Sequence, residues 1–370
     1  MSQAARGSRL LDLTLEHLAA LVAHDTRNPP RRIDTEGIIA YVAAVLRPSF
    51  RVEVRDHGAG SVSIFAMRGR PRILFNFHLD TVPDAPGWHR DPLRLHVAED
   101  RAYGLGACDV KGAAAAMLAA CELAGGDAAL LFTTDEEAND ARGVAAFLAE
   151  GPRFELAVVA EPTGCRAVLA HRGIASVDLR FRGRAGHAAR ASSRRENALH
   201  RAVGWSARAL AFADSLDEAS FDGLSGFRFN IGRIEGGIKA NVVAPEAYVR
   251  FGFRPLPGQS IETLLRSFRE LVADEELLAF EPSFIGPPLP ANPTTAAESF
   301  ARAREAAEAL GLPLGEPVDF WTEASLFSQA GWPALVFGPG DIAQAHAANE
   351  WVTLEQLEKA AEHYRRILGG

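Results

Sequence analysis

Cysteine is nearly absent: Cys108, Cys121 and Cys165 are the only three in 370 residues. An odd count without a C-x-x-C pair argues against a disulfide framework and a cysteine-rich zinc site. Lysine is as rare, with Lys111, Lys239 and Lys359 alone among 39 basic residues. With the heavy use of alanine, that reads as coding bias rather than function. Positive charge does not dominate either. Acidic residues number 47 and the net charge is −8, which speaks against electrostatic binding to nucleic acid or anionic lipid. Long apolar runs are missing too: Ala113 to Cys121 stops at Glu122, far short of the roughly 20 residues that span a bilayer. The N-terminal stretch has no charged start followed by an apolar segment and a small-residue cleavage site. A cytoplasmic protein with no nucleic-acid or membrane partner is expected.

What is present is ordinary for a globular enzyme, with 48% hydrophobic and 23% charged residues. The length suits two or three domains, or one large core with an insertion. Leu11, Leu15, Leu18 and Val22 recur at helical spacing and predict a helix over 8–24 that ends before Asn28-Pro29-Pro30. Short β-rich runs at 52–54, 61–67, 73–77, 129–133 and 156–159 alternate with helical stretches at 112–123 and 141–149. That alternation predicts an α/β domain with a mostly parallel sheet. Beyond residue 172 the texture changes. Residues 176–182 alternate with period two, as in a strand with one solvated face. A helix near 195–214, strands at 227–234 and 247–253, a helix near 260–273 and a run at 277–284 complete a β-α-β-β-α-β order. Helices near 295–310 and 354–368 flank a strand at 334–337. The simplest parse is a catalytic domain of 1–172 and 285–370, interrupted by an inserted α+β, ferredoxin-like domain of 173–284.

Metal-ligand residue types sit where strands should end. His78-Leu79-Asp80 closes the run 73–77, a pattern that suits a ligating imidazole oriented by a nearby acid, or a core histidine beside a surface aspartate. Asp109 follows Gly104-Leu105-Gly106; the run lacks G-x-G-x-x-G, and the carboxylate would repel a pyrophosphate. Asp135-Glu136-Glu137-Ala138-Asn139-Asp140 follows the run 129–133 and reads as a solvated acidic loop, or as a pair of carboxylates pointing apart in an extended segment. Glu161-Pro162-Thr163 ends another run, and His346 lies far downstream in Gln344 to Glu350. Sites in open α/β sheets form outside the carboxyl ends of the strands, so these groups should converge. Two histidines and three carboxylates suit zinc or cobalt, as one ion or as two sharing a carboxylate.

In these motifs, over about 10–368, the chain resembles the zinc aminoacylase and deacetylase superfamily that includes acetylornithine deacetylase and succinyl-diaminopimelate desuccinylase. The segments at 135–140, 231–241 and 319–325 add to the likeness. It implies that His78, Asp109 and Glu161 hold one metal and that Asp109 bridges to a second held by Glu137 and His346. It further implies that Asp80 orients His78, that Glu136 is the general base, and that the inserted domain is a lid used for homodimerisation. His187 in Gly183-Arg184-Ala185-Gly186-His187-Ala188 would contact the substrate carbonyl, or be an exposed loop histidine. Asn241 and Arg254 lie at substrate-contacting positions; Arg254 would fork onto a carboxylate, or be a surface arginine at a strand end.

The implied reaction is metal-dependent removal of acetyl from a small N2-acetyl amino acid. Residue chemistry does not choose between the cationic tail of ornithine and the ureido tail of citrulline, and the likeness favours citrulline, in arginine biosynthesis. Glu323 reads as a tail-recognising group or as an acid at a helix N-terminus. Lys111 reads as a solvated turn lysine, and Cys108 as a structural thiol without the partners of a nucleophile. The rival readings are a related dipeptidase, a catalytically inactive metal- or amino-acid-binding relative, and a nucleotide-dependent oxidoreductase that rests on the 104–106 turn alone.

Overall fold

The computed structural model describes residues 8–138 and 140–369. In chain order its principal strands are β1 (Arg51–Gly58), β2 (Ser61–Arg68), β3 (Ile73–His78), β4 (Ala128–Thr133), β5 (Leu156–Val159), β6 (Ile174–Arg182), β7 (Arg228–Gly236), β8 (Glu246–Arg254), β9 (Leu277–Gly286) and β10 (Ala334–Val336). Its principal helices are α1 (Arg9–Val22), α2 (Gly37–Leu46), α3 (Lys111–Leu123), α4 (Arg142–Glu150), α5 (Ala198–Asp214), α6 (Ile261–Glu270), α7 (Ala296–Ala309), α8 (Ala324–Gln329) and α9 (Leu354–Ile367). The chain divides into two compact units, Met1–Leu169 with Glu298–Glu316 and Thr322–Gly370, and Ala170–Ala297 with Pro317–Trp321.

The first unit is built on a six-stranded sheet of order β1-β2-β4-β3-β5-β10. The four strands β4, β3, β5 and β10 run parallel, and the β1-β2 hairpin adds an antiparallel edge. Every residue of β4 and β5 is buried, as expected where both faces of a parallel sheet are covered. The alanine-rich α3 is buried from Lys111 to Cys121, and its small side chains let α1 and α9 pack closely on it. Ser8 caps α1, its Oγ accepting from the Leu11 amide at 3.2 Å. The helix α2 has no counterpart in the sequence expectations. Its run Gly37-Ile38-Ile39-Ala40-Tyr41-Val42-Ala43-Ala44-Val45-Leu46 is apolar on nearly every side, so it carries no helical period to read.

The second unit has the order β6-α5-β7-β8-α6-β9 and a four-stranded antiparallel sheet of order β7-β8-β6-β9. The period-two signal in β6 is realised directly: Ala175, Val177, Leu179 and Phe181 are buried, while the residues between them are not. Those four pack with Trp205 of α5, Phe268 of α6 and Phe251 and Phe253 of β8. Trp205 donates its indole N–H to the Phe268 carbonyl at 3.1 Å, so the buried ring leaves no polar atom unmatched. Among the described residues no helix is long and apolar enough to cross a membrane.

Candidate metal centre

The parallel strands β3, β4 and β5 end side by side, with His78 opposite Thr133 and Asn76 opposite Val159. His78 is the last residue of β3, Glu136 and Glu137 follow β4 by three and four residues, and Glu161 follows β5 by two. Asp109 is presented by the turn before α3, and His346 by the loop after β10. Tertiary structure gathers these residues into two groups. His78, Asp109 and Glu161 form one and Asp109, Glu137 and His346 the other, and within each the donor atoms lie within 4.8 Å of one another.

Asp109 uses a different oxygen for each group. Its Oδ1 lies 3.1 Å from His78 Nε2, and its Oδ2 lies 3.3 Å from His346 Nε2. His78 Nε2 is also 3.9 Å from Glu161, and His346 Nε2 is 2.9 Å from Glu137. Both imidazoles thus turn one nitrogen into a cluster of carboxylates. The donor set of nitrogen and oxygen, three ligands per group with one shared, fits divalent zinc or cobalt.

The supporting contacts explain the precision. His78 Nδ1 is 3.1 Å from the Asp80 carbonyl and 3.6 Å from the Asp80 carboxylate. Asp80 Oδ2 accepts from the Asn28 side chain and from the Glu137 amide, each at 3.0 Å. The Asp80 carboxylate therefore anchors the turn that bears Glu136 and Glu137, and the main-chain carbonyl of the same residue meets His78. On the other side of Glu136, Asp135 accepts from Ser61 Oγ at 2.7 Å and from the Gly143 amide at 2.9 Å. Residues 136–138 form a turn rather than the extended segment expected from the sequence. Within that turn the Glu137 amide is held by Asp80. Asn139 of this motif lies outside the described residues.

Electrostatics follow from crowding. Burial raises Glu136 well above the usual carboxylate range, and the neighbouring Glu137 charge adds to it. Burial and the Asp109 charge do the same to Glu161. Burial opposes protonation of His78, yet its bonds to Asp109 and Asp80 hold it well above an ordinary histidine. The contacts of His346 with Asp109 and Glu137 lift it from 6.5 to about 10. Burial alone would raise Asp109, but the bonds from His346 and His78 outweigh it and hold the carboxyl well below its usual range.

Protons and a metal ion therefore compete for the two histidines. Binding of Zn²⁺ to the metal-free protein near pH 7 is expected to release protons. The affinity should rise about tenfold to a hundredfold per pH unit while one or both imidazoles remain protonated. Calorimetric titration in buffers of different ionisation enthalpy measures the number released; none released would contradict the assignment. For the metal-free fold the sign is opposite. A histidine at about 10 when folded and 6.5 when free stabilises the protein fully below about 6.5, and that stabilisation is lost as pH climbs towards 10.

Three buried charged residues differ from their sequence reading or were passed over by it. Lys111 is not a solvated turn lysine: it is fully buried, donates to the His24 carbonyl at 3.1 Å, and is brought down to about 8 by burial against the attraction of Glu350. Glu323 stands at the N-cap of α8 but makes no capping bond there. It is buried and accepts from Asn76 Nδ2 at 2.7 Å and Thr133 Oγ1 at 3.3 Å, and burial, with the Asp135 charge, pushes it up to about 8. Glu350 is buried against the Asp109 turn, a role that nothing in its local sequence signals. Cys108 is buried with its Sγ 3.3 Å from the Asp341 carbonyl, and burial pushes the thiol up, away from nucleophilic use.

His187, Asn241 and Arg254 belong to the second unit and lie outside both donor groups. Exposed His187 pairs across a short antiparallel ladder with Val242, and the Ala188 amide donates to the Asn241 carbonyl at 3.0 Å. The structure thus brings His187 and Asn241 together. Arg254 ends β8 half-buried rather than on the open surface; burial lowers its pKa, opposed by Asp319.

Residues 74–369 match the model of the family described as peptidase family M20/M25/M40. An N-acetyl-L-citrulline deacetylase of Xanthomonas campestris pv. campestris is 56% identical over 363 residues, 98% of this chain and 99% of the relative. An acetylornithine deacetylase of Myxococcus xanthus is 32% identical over 362 residues, 92% of each chain. In fold, the crystal structure of an M20 family metallo-carboxypeptidase of Sulfolobus solfataricus superposes with a TM-score of 0.71 at 17% identity, over 96% of this chain and 98% of its own.

Proposed function

Because the chain belongs to peptidase family M20/M25/M40, we propose that it is a metal-dependent amidohydrolase that converts N-acetyl-L-citrulline to L-citrulline and acetate. The observation that carries the reading is the pair of donor groups sharing Asp109, in a chain 56% identical over nearly its whole length to a deacetylase of that name. His78, Asp109 and Glu161 would hold one divalent ion, and Asp109, Glu137 and His346 a second. Bound zinc or cobalt supplies Lewis acidity that favours deprotonation of water and polarises the amide carbonyl. Glu136, raised in pKa by burial and by Glu137, takes the proton of the attacking water and returns it to the departing α-amine nitrogen. Asp80 keeps the His78 ring oriented. Of the second unit's residues, His187 is assigned to the substrate carbonyl, Asn241 to a substrate contact and Arg254 to the substrate carboxylate, where its guanidinium can fork.

The second unit is also assigned to homodimerisation, with the inserted domain as the lid that the sequence likeness implies. Support comes from strand β7 at a sheet edge, with Ile234 exposed and Ile238 just beyond it 83% exposed, and from Val203 and Leu210 exposed on α5. A cytoplasmic place and a role in arginine biosynthesis fit that substrate.

The test is acetate release from N-acetyl-L-citrulline and N-acetyl-L-ornithine by chelator-stripped protein, before and after zinc or cobalt is restored. Metal-restored turnover with kcat/KM favouring the ureido substrate is expected. Preference for the ornithine compound would keep the chemistry and overturn the substrate; no metal-dependent turnover on either would overturn the enzyme.

A further inference from the structure

Glu350 has no part in either donor group or in the proposed proton transfers. It is 3% exposed and lies four residues after His346. Its Oε1 accepts from the amides of Cys108 at 2.8 Å and Asp109 at 3.0 Å, and its Oε2 accepts from the amide of Gly106 at 2.8 Å. Its main-chain carbonyl accepts a fourth, from Gly104 at 3.1 Å. One residue on the His346 segment thus holds four amides of the turn that presents Asp109. All three partners of the side chain are donors, so the carboxylate serves as an acceptor at every contact, the arrangement in which such bonds are strongest.

The turn is shaped for this capture. Gly106 has φ +79°, and a Cβ there would lie 2.7 Å from Thr81 Cγ2, so only glycine turns its amide this way without displacing Thr81. The two donor groups depend on the turn unequally. His78 and Glu161 stand at or just past the ends of adjacent parallel strands, and Glu137 is held by Asp80 through its amide. Asp109 and His346 lie on loops, and Glu350 joins those loops.

We propose that Glu350 is a positioning residue that clamps the Asp109 turn to the His346 segment and thereby sets the affinity of the second metal site, that of Asp109, Glu137 and His346. The inference rests on the metal-dependent reading above. It concerns a carboxylate that belongs to neither donor group and whose partners are backbone amides.

Glu350→Gln keeps the size but turns an NH₂ towards amides that need an acceptor. Two measurements test the clamp. In metal-free protein, hydrogen exchange at the amides of Gly106, Cys108 and Asp109 should quicken about tenfold in the variant, the loss of roughly one hydrogen bond. In zinc titrations of metal-stripped protein, the binding step abolished by His346→Ala should weaken about 10- to 100-fold in Glu350→Gln, and the other step markedly less. Unchanged exchange and unchanged affinities would overturn the proposal. So would equal weakening of both steps with a lowered Tm, the mark of general destabilisation, or a single zinc step in the unsubstituted chain. If Glu350→Gln does not fold, Glu350→Asp keeps the charge, shortens the reach and should show the same inequality between the two steps. Should the unsubstituted chain bind no zinc at all, the functional reading fails, while the exchange measurement still judges the clamp itself.

Discussion

Glu136→Gln is expected to lower kcat for acetyl release about 10³- to 10⁴-fold, to leave KM within a small factor, and to leave zinc uptake intact. The first figure is the upper range for removing a positioned general acid–base. The separation from metal binding follows from the geometry, because Glu136 is in neither donor group. The substitution should also leave the fold unharmed, since the segment is held by contacts to its neighbours, Asp135 to Ser61 and Gly143, and Glu137 to Asp80. Steady-state kinetics with metal analysis of the same samples check both parts. Near-native turnover would remove Glu136 as the base; loss of metal together with turnover would make it a ligand.

Asp109→Ala has the widest effect expected of any single ligand, because its two oxygens serve both groups. Each group is left with two donors, His78 with Glu161 and Glu137 with His346. Both zinc affinities are expected to fall by more than about 100-fold, beyond the range seen when only an outer contact is lost. His346→Ala is the contrast: it removes a donor from one group only, so one of two binding steps should survive. The Asp109 turn itself should persist in the alanine variant, because Glu350 holds it through the backbone amide of residue 109 and not through the side chain. Calorimetric stoichiometry distinguishes these cases. Retention of either zinc step at native affinity in Asp109→Ala would show that the carboxylate does not bridge.

Much of this centre was legible before any coordinates. His78, Asp109, Glu161 and Glu137 stood out because each follows or ends an apolar run or a glycine turn, and parallel strands bring such ends to one edge; His346 lies far downstream of any such run, and its place with them came from the family likeness. The strands themselves were legible through β-rich runs in the first unit and through strict alternation in β6, where one face is buried and the other is not. What failed was local reading of residues whose neighbours are distant in sequence. Lys111 looks like any turn lysine until α3 is packed on both α1 and α9 and its chain has nowhere to go but the His24 carbonyl. An extended segment was expected at Glu136 and Glu137, and the structure has instead a turn anchored by Asp80, more than fifty residues away.

Sequence by itself therefore determined the ligand-type residues at the strand ends and the alternation of strands and helices, because these depend on side-chain chemistry and short-range periodicity. Only tertiary structure decided which of those groups gather about Asp109 and which charges are buried. Those are properties of contacts spanning long stretches of chain, such as Asn76 with Glu323 or Asp109 with Glu350, in which a polar group removed from water must find its partner wherever the fold places one.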